Sequence, residues 1–399
     1  MTISIIADTV FTKVPRAGYP FRVFNLMKGY TRWASKVQLF LCNRNFSKTK
    51  DLLWLKTISP QIQIFLINPL LFYKKSFLDN LLNQYSGDIV QFENPEFAIN
   101  NSQFILQNIH KKVFILELHN LYYKLNRSNT EFNILKNALQ LTDYTICFSE
   151  DDCKIIKHDF ELSADKIICS PIFVDCSDYK FYGSNLTKNE ILFMGNFCYK
   201  PNADAAIFLI KEVYPILRKN FLQFHLHFLG NYPPKFLPVK SNNWTFHGFL
   251  DTEKQSSILN NIKLCVAPLF GGYGSRVKML EYATFGFPIL ATKQAMVGTE
   301  KLQGIFIAQK NNFAFELSKR LQQNTLLYQY GVINRKNVEK YYSIEKVIPE
   351  LLFKITKKPL KNKPIKYVSS KIYIPSWIKE QRHFKKVLKD VYVIEKNTI

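Results

Sequence analysis

The chain is short of acid. It has 31 Asp and Glu against 54 Lys and Arg, a formal charge of +23 over 399 residues. A surplus of that size implies an anionic partner: nucleic acid, an anionic lipid surface, or phosphorylated substrates and carriers. There is no zinc-finger pattern, no RNA-binding signature and no continuous basic helix of the DNA-reading kind, so membrane and phosphate partners are favoured over nucleic acid. There is no C-x-x-C. The seven cysteines (Cys42, Cys147, Cys153, Cys169, Cys176, Cys198, Cys265) are odd in number and sit mostly in apolar segments such as TICF and KLCVAP. That excludes a disulfide scaffold and argues for buried thiols in a reducing compartment. No apolar run approaches the roughly 20 residues of a membrane-spanning helix. The opening MTISIIADTVFTK lacks a basic leader and a small-residue cleavage site, and reads as a first core strand.

What the chain does have is apolar bulk. At 47% hydrophobic, with 34 Phe and 21 Tyr, it can bury a large core. Its length suits two or three domains. Ile3–Ala7, Val37–Leu41, Gln63–Ile67, Asp88–Phe92, Lys112–Leu118, Tyr144–Ser149 and Ile167–Ile172 read as strands. Phe21–Trp33, Phe77–Gln84 and Asn133–Leu141 between them have helical spacing. Such alternation predicts βαβ units around a parallel sheet. Asp175–Asn189, DCSDYKFYGSNLTKN, is polar and nearly free of aliphatics, and marks a linker. A second series follows. Its strands are Ile191–Met194, Phe224–Leu229, Trp244–Gly248, Lys263–Pro268, Pro288–Ala291 and Ile305–Ile307; its helices are Ala203–Leu217, Glu253–Asn260, Ser275–Phe285 and Phe313–Gln323. The chain thus reads as α/β, with doubly wound domains over 1–180 and 188–345 facing across a cleft, and a basic segment over 346–399. From Lys357 onward, 12 Lys/Arg stand against three Asp/Glu. There Trp377–Val393 is predicted to be a helix, either packed with its basic side solvated or lying on an anionic membrane or acceptor.

Val266–Thr292, VAPLFGGYGSRVKMLEYATFGFPILAT, is the most informative stretch. It predicts a buried strand, a glycine-broken loop, a helix, a Gly286–Pro288 stop and a second strand. Gly271–Gly274 falls just past the first strand, where open α/β sheets bind ligands. Glycines let backbone N–H groups approach an anion, and the helix start adds its positive dipole end. Arg276 and Lys278 run against the dipole's preference for acid in the first turn; a nearby diphosphate explains them. Gly274, Lys278 and Glu281 share one helix face, where a carboxylate can hold a pair of ribose hydroxyls. The same pattern also describes ordinary α/β structure with solvated cations, and spacing alone leaves both readings open.

G-S-R-x-K-x-L-E followed by G-x-P-I-L-A-T resembles the nucleotide-sugar motif of group 1 (family 4) glycosyltransferases of the GT-B fold. Ile191–Leu217 is similar to the opening of their C-terminal domain: a strand ending in Gly195, a Tyr199-x-Pro201-Asn202 turn, and a helix ending in V-x-P-x-L. The resemblance covers roughly residues 1–345. It implies two Rossmann-like domains, the first for the acceptor and the second for a nucleoside diphosphate sugar. Glu281 matches the glutamate that binds the ribose; its usual partner falls at Tyr273, which offers no carboxylate. Arg276 and Lys278 would neutralise the diphosphate, helped by Gly274 and Ser275. Asn196 and Lys200 stand where members often place a basic pair. Gly18, in Arg16-Ala17-Gly18, stands where they have a loop touching donor phosphates.

His119, in E-L-H-N, matches a histidine that contacts the transferred sugar. Glu117 shares its strand face and would orient it or cap the sheet. Arg22 binds acceptor phosphate or lies on the surface. His225 and His227 alternate in FHLHF; with no third ligand nearby, packing or hydrogen bonding is their expected role, and no metal site is expected. No Asp-x-Asp occurs to recruit a divalent cation. The expected function is retaining hexosyl transfer from a nucleoside diphosphate sugar, without other cofactor, to a glycan or lipid-linked acceptor in cell-surface polysaccharide synthesis. The expected location is cytoplasmic, peripheral on the inner face of the membrane. A sugar-nucleotide epimerase, a noncatalytic glycan- or membrane-binding relative, and a nucleic-acid binder remain the alternatives.

Overall fold

The computed structural model describes residues 1–9, 11, 18–44, 49–221, 223–248, 250, 252–271, 276–357 and 391–394. The chain divides into two compact units: Met1–Ser170 with Val347–Ile399, and Pro171–Lys346.

In the first unit, seven short apolar runs form β1 (Thr2–Ala7), β2 (Lys36–Cys42), β3 (Ile62–Ile67), β4 (Ile89–Phe92), β5 (Val113–Glu117), β6 (Tyr144–Cys147) and β7 (Ile167–Cys169). They pair in parallel, with β1 between β2 and β4. All six residues of β3 are buried. A strand apolar on both faces suits a parallel sheet covered on both sides. The covering helices carry local start signals. Ser149 caps Glu150–Asp159 by accepting the Asp152 N–H, with three acids in the first turn, and Ser128 caps Asn129–Leu141 in the same way.

The second unit holds β8 (Glu190–Met194), β9 (His225–Leu229), β10 (Trp244–Phe246), β11 (Ile262–Ala267), β12 (Ile289–Ala291) and β13 (Ile305–Ile307), in the order β10-β9-β8-β11-β12-β13. Three features depart from expectation here. The helix expected over Ala203–Leu217 is Lys200–Phe208, a π turn at Leu209–Val213 and Tyr214–Asn220. Pro215 has no N–H to continue the α ladder, and the wider turn absorbs the mismatch. The expected linker is fixed against the second unit. Arg335 donates to the carbonyls of Cys176, Tyr179 and Thr284, and the Tyr182 ring stacks on Phe287. The helices Asn324–Tyr341 and Ile344–Thr356 extend beyond the predicted elements. The buried face of the first includes Gly331, Asn334 and Asn337, so it shows little aliphatic stripe.

A last strand, β14 (Val391–Ile394), adds antiparallel to β3, with Val391 opposite Ile67 and Ile394 opposite Ile64. It completes the order β14-β3-β2-β1-β4-β5-β6-β7. This corrects the helix expected over Trp377–Val393 at its end. V-Y-V-I is a β-branched and aromatic run, and β3 offers it an edge to pair with. Residues 377–390 lie outside the described residues. Among the described residues, no helix is long and apolar enough to cross a membrane.

Asn334 is fully buried. It accepts from Gly304 N at 2.9 Å and donates to the Gly304 and Phe287 carbonyls at 2.8 and 2.9 Å. Asn334→Ala leaves three buried backbone groups unpaired, and is expected to destabilise the protein by about 2–4 kcal/mol. Urea unfolding with an unchanged m-value would measure this loss. A change under about 0.5 kcal/mol would refute the role.

Candidate functional site

The strand order of the second sheet reverses between β8 and β11. Open α/β sheets bind ligands at such a point, outside the carboxyl ends of the strands. β8 runs out into Gly195 and Asn196, and β11 into the loop that leads to the helix Val277–Thr284. That helix begins at Val277, with Arg276 as its N-cap residue. It ends in a Schellman arrangement: Phe287 N donates to Tyr282 O, and Gly286 takes the left-handed φ of 80°. The Tyr282 hydroxyl accepts from Met194 N at 2.6 Å, tying the helix to the end of β8.

The β8 exit is tightly packed. A Cβ on Gly195 would lie 2.8 Å from the Asn202 side chain, and one on Gly230 (φ 139°) would lie 1.8 Å from the Gly195 carbonyl oxygen. Asn202 links the β8 exit to the site helix. Its Nδ2 donates to Asn196 O at 2.9 Å, and its Oδ1 accepts from Lys278 Nζ at 2.6 Å. The Lys278 ammonium also lies 4.3 Å over the Phe193 ring. Burial, then the Arg276 charge, pulls Lys278 down from 10.5 to about 7, while Glu281 opposes the shift. Arg276 is 6% exposed, is pushed downward by burial, and donates to Gly271 O. Glu281 is 7% exposed.

The structure thus gathers Gly195, Asn196, Arg276, Lys278 and Glu281 on the loops and the helix that flank the reversal point. Lys200 is engaged elsewhere, in an exposed pair with Asp204 at 2.6 Å. Asn196 turns its side chain to Cys198 N at 3.0 Å. Gly274 and Ser275, with Tyr273, lie outside the described residues, as do Arg16 and Ala17. Gly18 opens the helix Gly18–Tyr30, and a Cβ there would meet nothing within 4 Å, so packing does not demand glycine. Asn202 was visible in the sequence only as part of a turn.

In the first unit the order reverses between β1 and β4. Glu93 follows β4, Glu117 ends β5, and His119 comes two residues later. His119 Nε2 meets Glu93 Oε2 at 2.8 Å. Its ring is held edge-on by Tyr19 and Phe148. Glu117 does not orient His119. Its Oε1 takes Arg22 Nε at 2.7 Å, and its Oε2 takes Gln91 Nε2, also at 2.7 Å. Gln91 Nε2 also reaches Glu93 Oε1 at 2.8 Å, and Tyr30 donates to Gln91 Oε1 at 2.7 Å. Arg22 is therefore neither a surface group nor open to an acceptor phosphate. Its side chain and that of Glu117 are both 0% exposed, and it also donates to Ser170 Oγ. Glu93 is the functional neighbour the sequence reading missed; its place one residue beyond a strand end was the available signal.

Burial pushes Glu93 up to about 8 and His119 down to about 4. Glu117 is pushed up by burial and held back by Arg22. Ligand atoms of Glu93, Glu117 and His119 lie within 4.8 Å of one another, a spacing a metal could use. The donor set argues otherwise: all four carboxylate oxygens are already engaged, and Arg22 already supplies a positive charge to Glu117. The second-unit histidines are likewise committed. His227 meets His247 and Glu190, each at 3.0 Å, and His225 meets Thr245 at 3.0 Å.

The buried acids set a pH dependence. Glu93 rises from 4.5 to about 8. Across that window the folded chain keeps a proton that the unfolded chain has released, so stability falls as pH rises. Asp8 and Asp79, each raised from 3.8 to about 6, add to the fall below that pH. Lys278 and the histidines, whose values are lowered, pull the other way, so the Glu93 contribution is read by comparison: from about pH 5 to about pH 8.5 the wild type is expected to lose stability relative to Glu93→Gln in urea unfolding. A wild type that gains on Glu93→Gln across that window would contradict this account.

Residues 188–323 match the model of the family Glycosyl transferases group 1. No curated protein matches by sequence. Among solved structures, Anabaena HepE in complex with UDP-glucose is similar at TM-score 0.67 and 11% identity, over 90% of this chain and 100% of that one. A mutant of S. aureus TarM, in complex with fondaparinux, alpha-GlcNAc-glycerol and UDP, is similar at 0.69 and 11%, over 89% and 99%. Sucrose-phosphate synthase from Thermosynechococcus elongatus is similar at 0.67 and 13%, over 88% and 97%. Residues 188–323 thus carry the match to the Glycosyl transferases group 1 family, and the chain as a whole has the GT-B glycosyltransferase fold.

Proposed function

We propose that this protein is a retaining glycosyltransferase. It moves a hexosyl group from a nucleoside diphosphate sugar to a glycan or lipid-linked acceptor in the assembly of cell-surface polysaccharide. One observation carries the reading: two largely buried cations and a buried carboxylate sit around one short helix at the reversal point of the second sheet. Burial disfavours the charge on Lys278, and an arriving diphosphate restores it. UDP and UDP-glucose in the similar HepE and TarM structures support a donor of this class.

In this reading Gly195 allows the close packing of the β8 exit, beside which the phosphates lie. Gly274 and Ser275 offer backbone N–H groups, and Glu281 holds the ribose hydroxyls. As the glycosidic bond breaks, charge builds on the leaving diphosphate. Arg276 and Lys278 stabilise that charge more than they stabilise the bound donor, which lowers the barrier. The acceptor hydroxyl attacks on the face the diphosphate leaves, and a phosphate oxygen takes its proton. The two cations do the electrostatic work of a divalent metal, so the reaction is metal-independent and needs no cofactor beyond the donor. His119 contacts the transferred sugar. The charge of +23 fits work at the inner face of an anionic membrane, with no nucleic-acid partner.

Screening sugar nucleotides for thermal stabilisation identifies the donor; at about 100 times its dissociation constant a ligand adds about 2.7 kcal/mol. Lys278→Ala is expected to weaken that donor by about 10- to 100-fold. Glu281→Ala is expected to abolish transfer with the fold intact. Because burial and the Arg276 charge pull Lys278 down to about 7 in the free protein, donor binding is expected to take up a proton above that pH, and affinity to fall as pH rises. Calorimetry in buffers of different ionisation enthalpy reads this uptake. No binding by any sugar nucleotide would end the proposal, and pH-independent affinity would remove Lys278 from the diphosphate site.

A further inference from the structure

Histidine at the sugar side has two ring nitrogens, and which one carries the proton decides what it can offer a ligand. In this protein Nε2 is committed to Glu93 at 2.8 Å, which leaves Nδ1 as the nitrogen for a ligand. If the Glu93 carboxyl is ionised, it accepts from Nε2–H, and Nδ1 faces the ligand as a lone pair. If it is protonated, it donates to Nε2, and Nδ1 carries the hydrogen.

The surroundings decide between these states. Glu93 is 0% exposed, so an ionised carboxylate there needs a cation. The cation at hand is Arg22, and its Nε is bonded to Glu117 at 2.7 Å. One guanidinium thus faces two carboxyls in a dry site, and the one bonded directly to it holds the negative charge. The other charged and titratable groups do not change this balance. Tyr19 and Tyr30 are pushed up by burial and stay neutral. Arg44 pairs with Asp8 instead. Burial also keeps the imidazole uncharged.

We infer that Glu93 is a positioning residue for His119: its protonated carboxyl fixes the ring in the Nδ1–H tautomer and so presents a hydrogen-bond donor to the transferred sugar. The arrangement also explains why Gln91 bridges the two carboxyls. Its single amide nitrogen donates to Glu93 Oε1 and Glu117 Oε2, holding them apart in their roles. The sugar-side half of the inference rests on reading His119 as the group that meets the sugar; the tautomer half does not.

Two measurements test it. In the ligand-free full chain with 15N-labelled histidine, the His119 ring is expected to show a protonated Nδ1 and an unprotonated Nε2 at about pH 6.5. The two are expected to exchange roles as Glu93 ionises near its value of about 8. Glu93→Gln, which keeps the shape and cannot ionise, is expected to abolish the exchange. An Nε2–H tautomer across the whole range, or an exchange that survives in Glu93→Gln, overturns the inference. With the donor saturating, so that the bound diphosphate keeps Lys278 protonated, kcat of the wild type is expected to fall by about tenfold per pH unit above the Glu93 midpoint. In Glu93→Gln it is expected to stay flat. Matching kcat profiles in the two proteins overturn the sugar-side half. If the tautomer follows Glu93 and no sugar nucleotide binds, the proposed function fails and the positioning role stands.

Discussion

Where a parallel sheet reverses its strand order, neighbouring loops leave toward opposite faces, and no crossover helix covers the gap. The rest of this structure depends on that constraint. It applies twice, between β1 and β4 in the first unit and between β8 and β11 in the second. Each gap receives residues that follow a strand end, and buried charged groups gather there: Arg22, Glu93 and Glu117 in the first unit, Arg276 and Glu281 in the second. The flanking architecture then serves those loops. Tyr282 ties the site helix to Met194 N, Gly286 ends that helix, and Asn334 fixes the carbonyl of the next residue, Phe287.

The two sites handle buried charge in opposite ways. In the first unit the charge is compensated within the protein. Arg22 and Glu117 neutralise one another at 0% exposure, and Gln91 satisfies the remaining oxygens. A buried pair of this kind is weak evidence for added stability, because desolvation offsets most of the attraction. It does hold geometry, since every carboxylate oxygen has a partner. In the second unit, burial works against the charge on Lys278, and the Arg276 charge beside it works the same way. A like-charged pair of that sort costs stability unless an anion arrives, and the same imbalance becomes binding energy when one does. Perturbed groups of this type cluster at functional sites for this reason.

The family match covers the second unit's segment 188–323, and the similarity to solved structures extends the fold to nearly the whole chain at low identity. In the proposed reading this asymmetry has a physical origin: phosphate and ribose are the constant part of a nucleotide sugar, and the loop–helix chemistry that holds them repeats in recognisable motifs.

Most strands were legible in the sequence because a parallel strand buried on both faces is an unbroken apolar run. The site helix was legible because Arg276, Lys278 and Glu281 lie within six residues of one another. The helix Asn324–Tyr341 was not, because its buried face carries asparagines and a glycine whose partners are backbone groups elsewhere. Nor was the chain's return to β3 through β14, which depends on an edge that exists only once the sheet has formed. Composition and local pattern determined the fold class, the two α/β series and the position of the site helix, since those follow from periodicity and from residues adjacent in the chain. Only the tertiary structure decided which group each polar side chain answers to. Arg22 meets Glu117 across 95 residues, Lys278 meets Asn202 across 76, and His119 meets Glu93 across 26. Pairings at such separations are set by strand order and burial, and no local pattern encodes them.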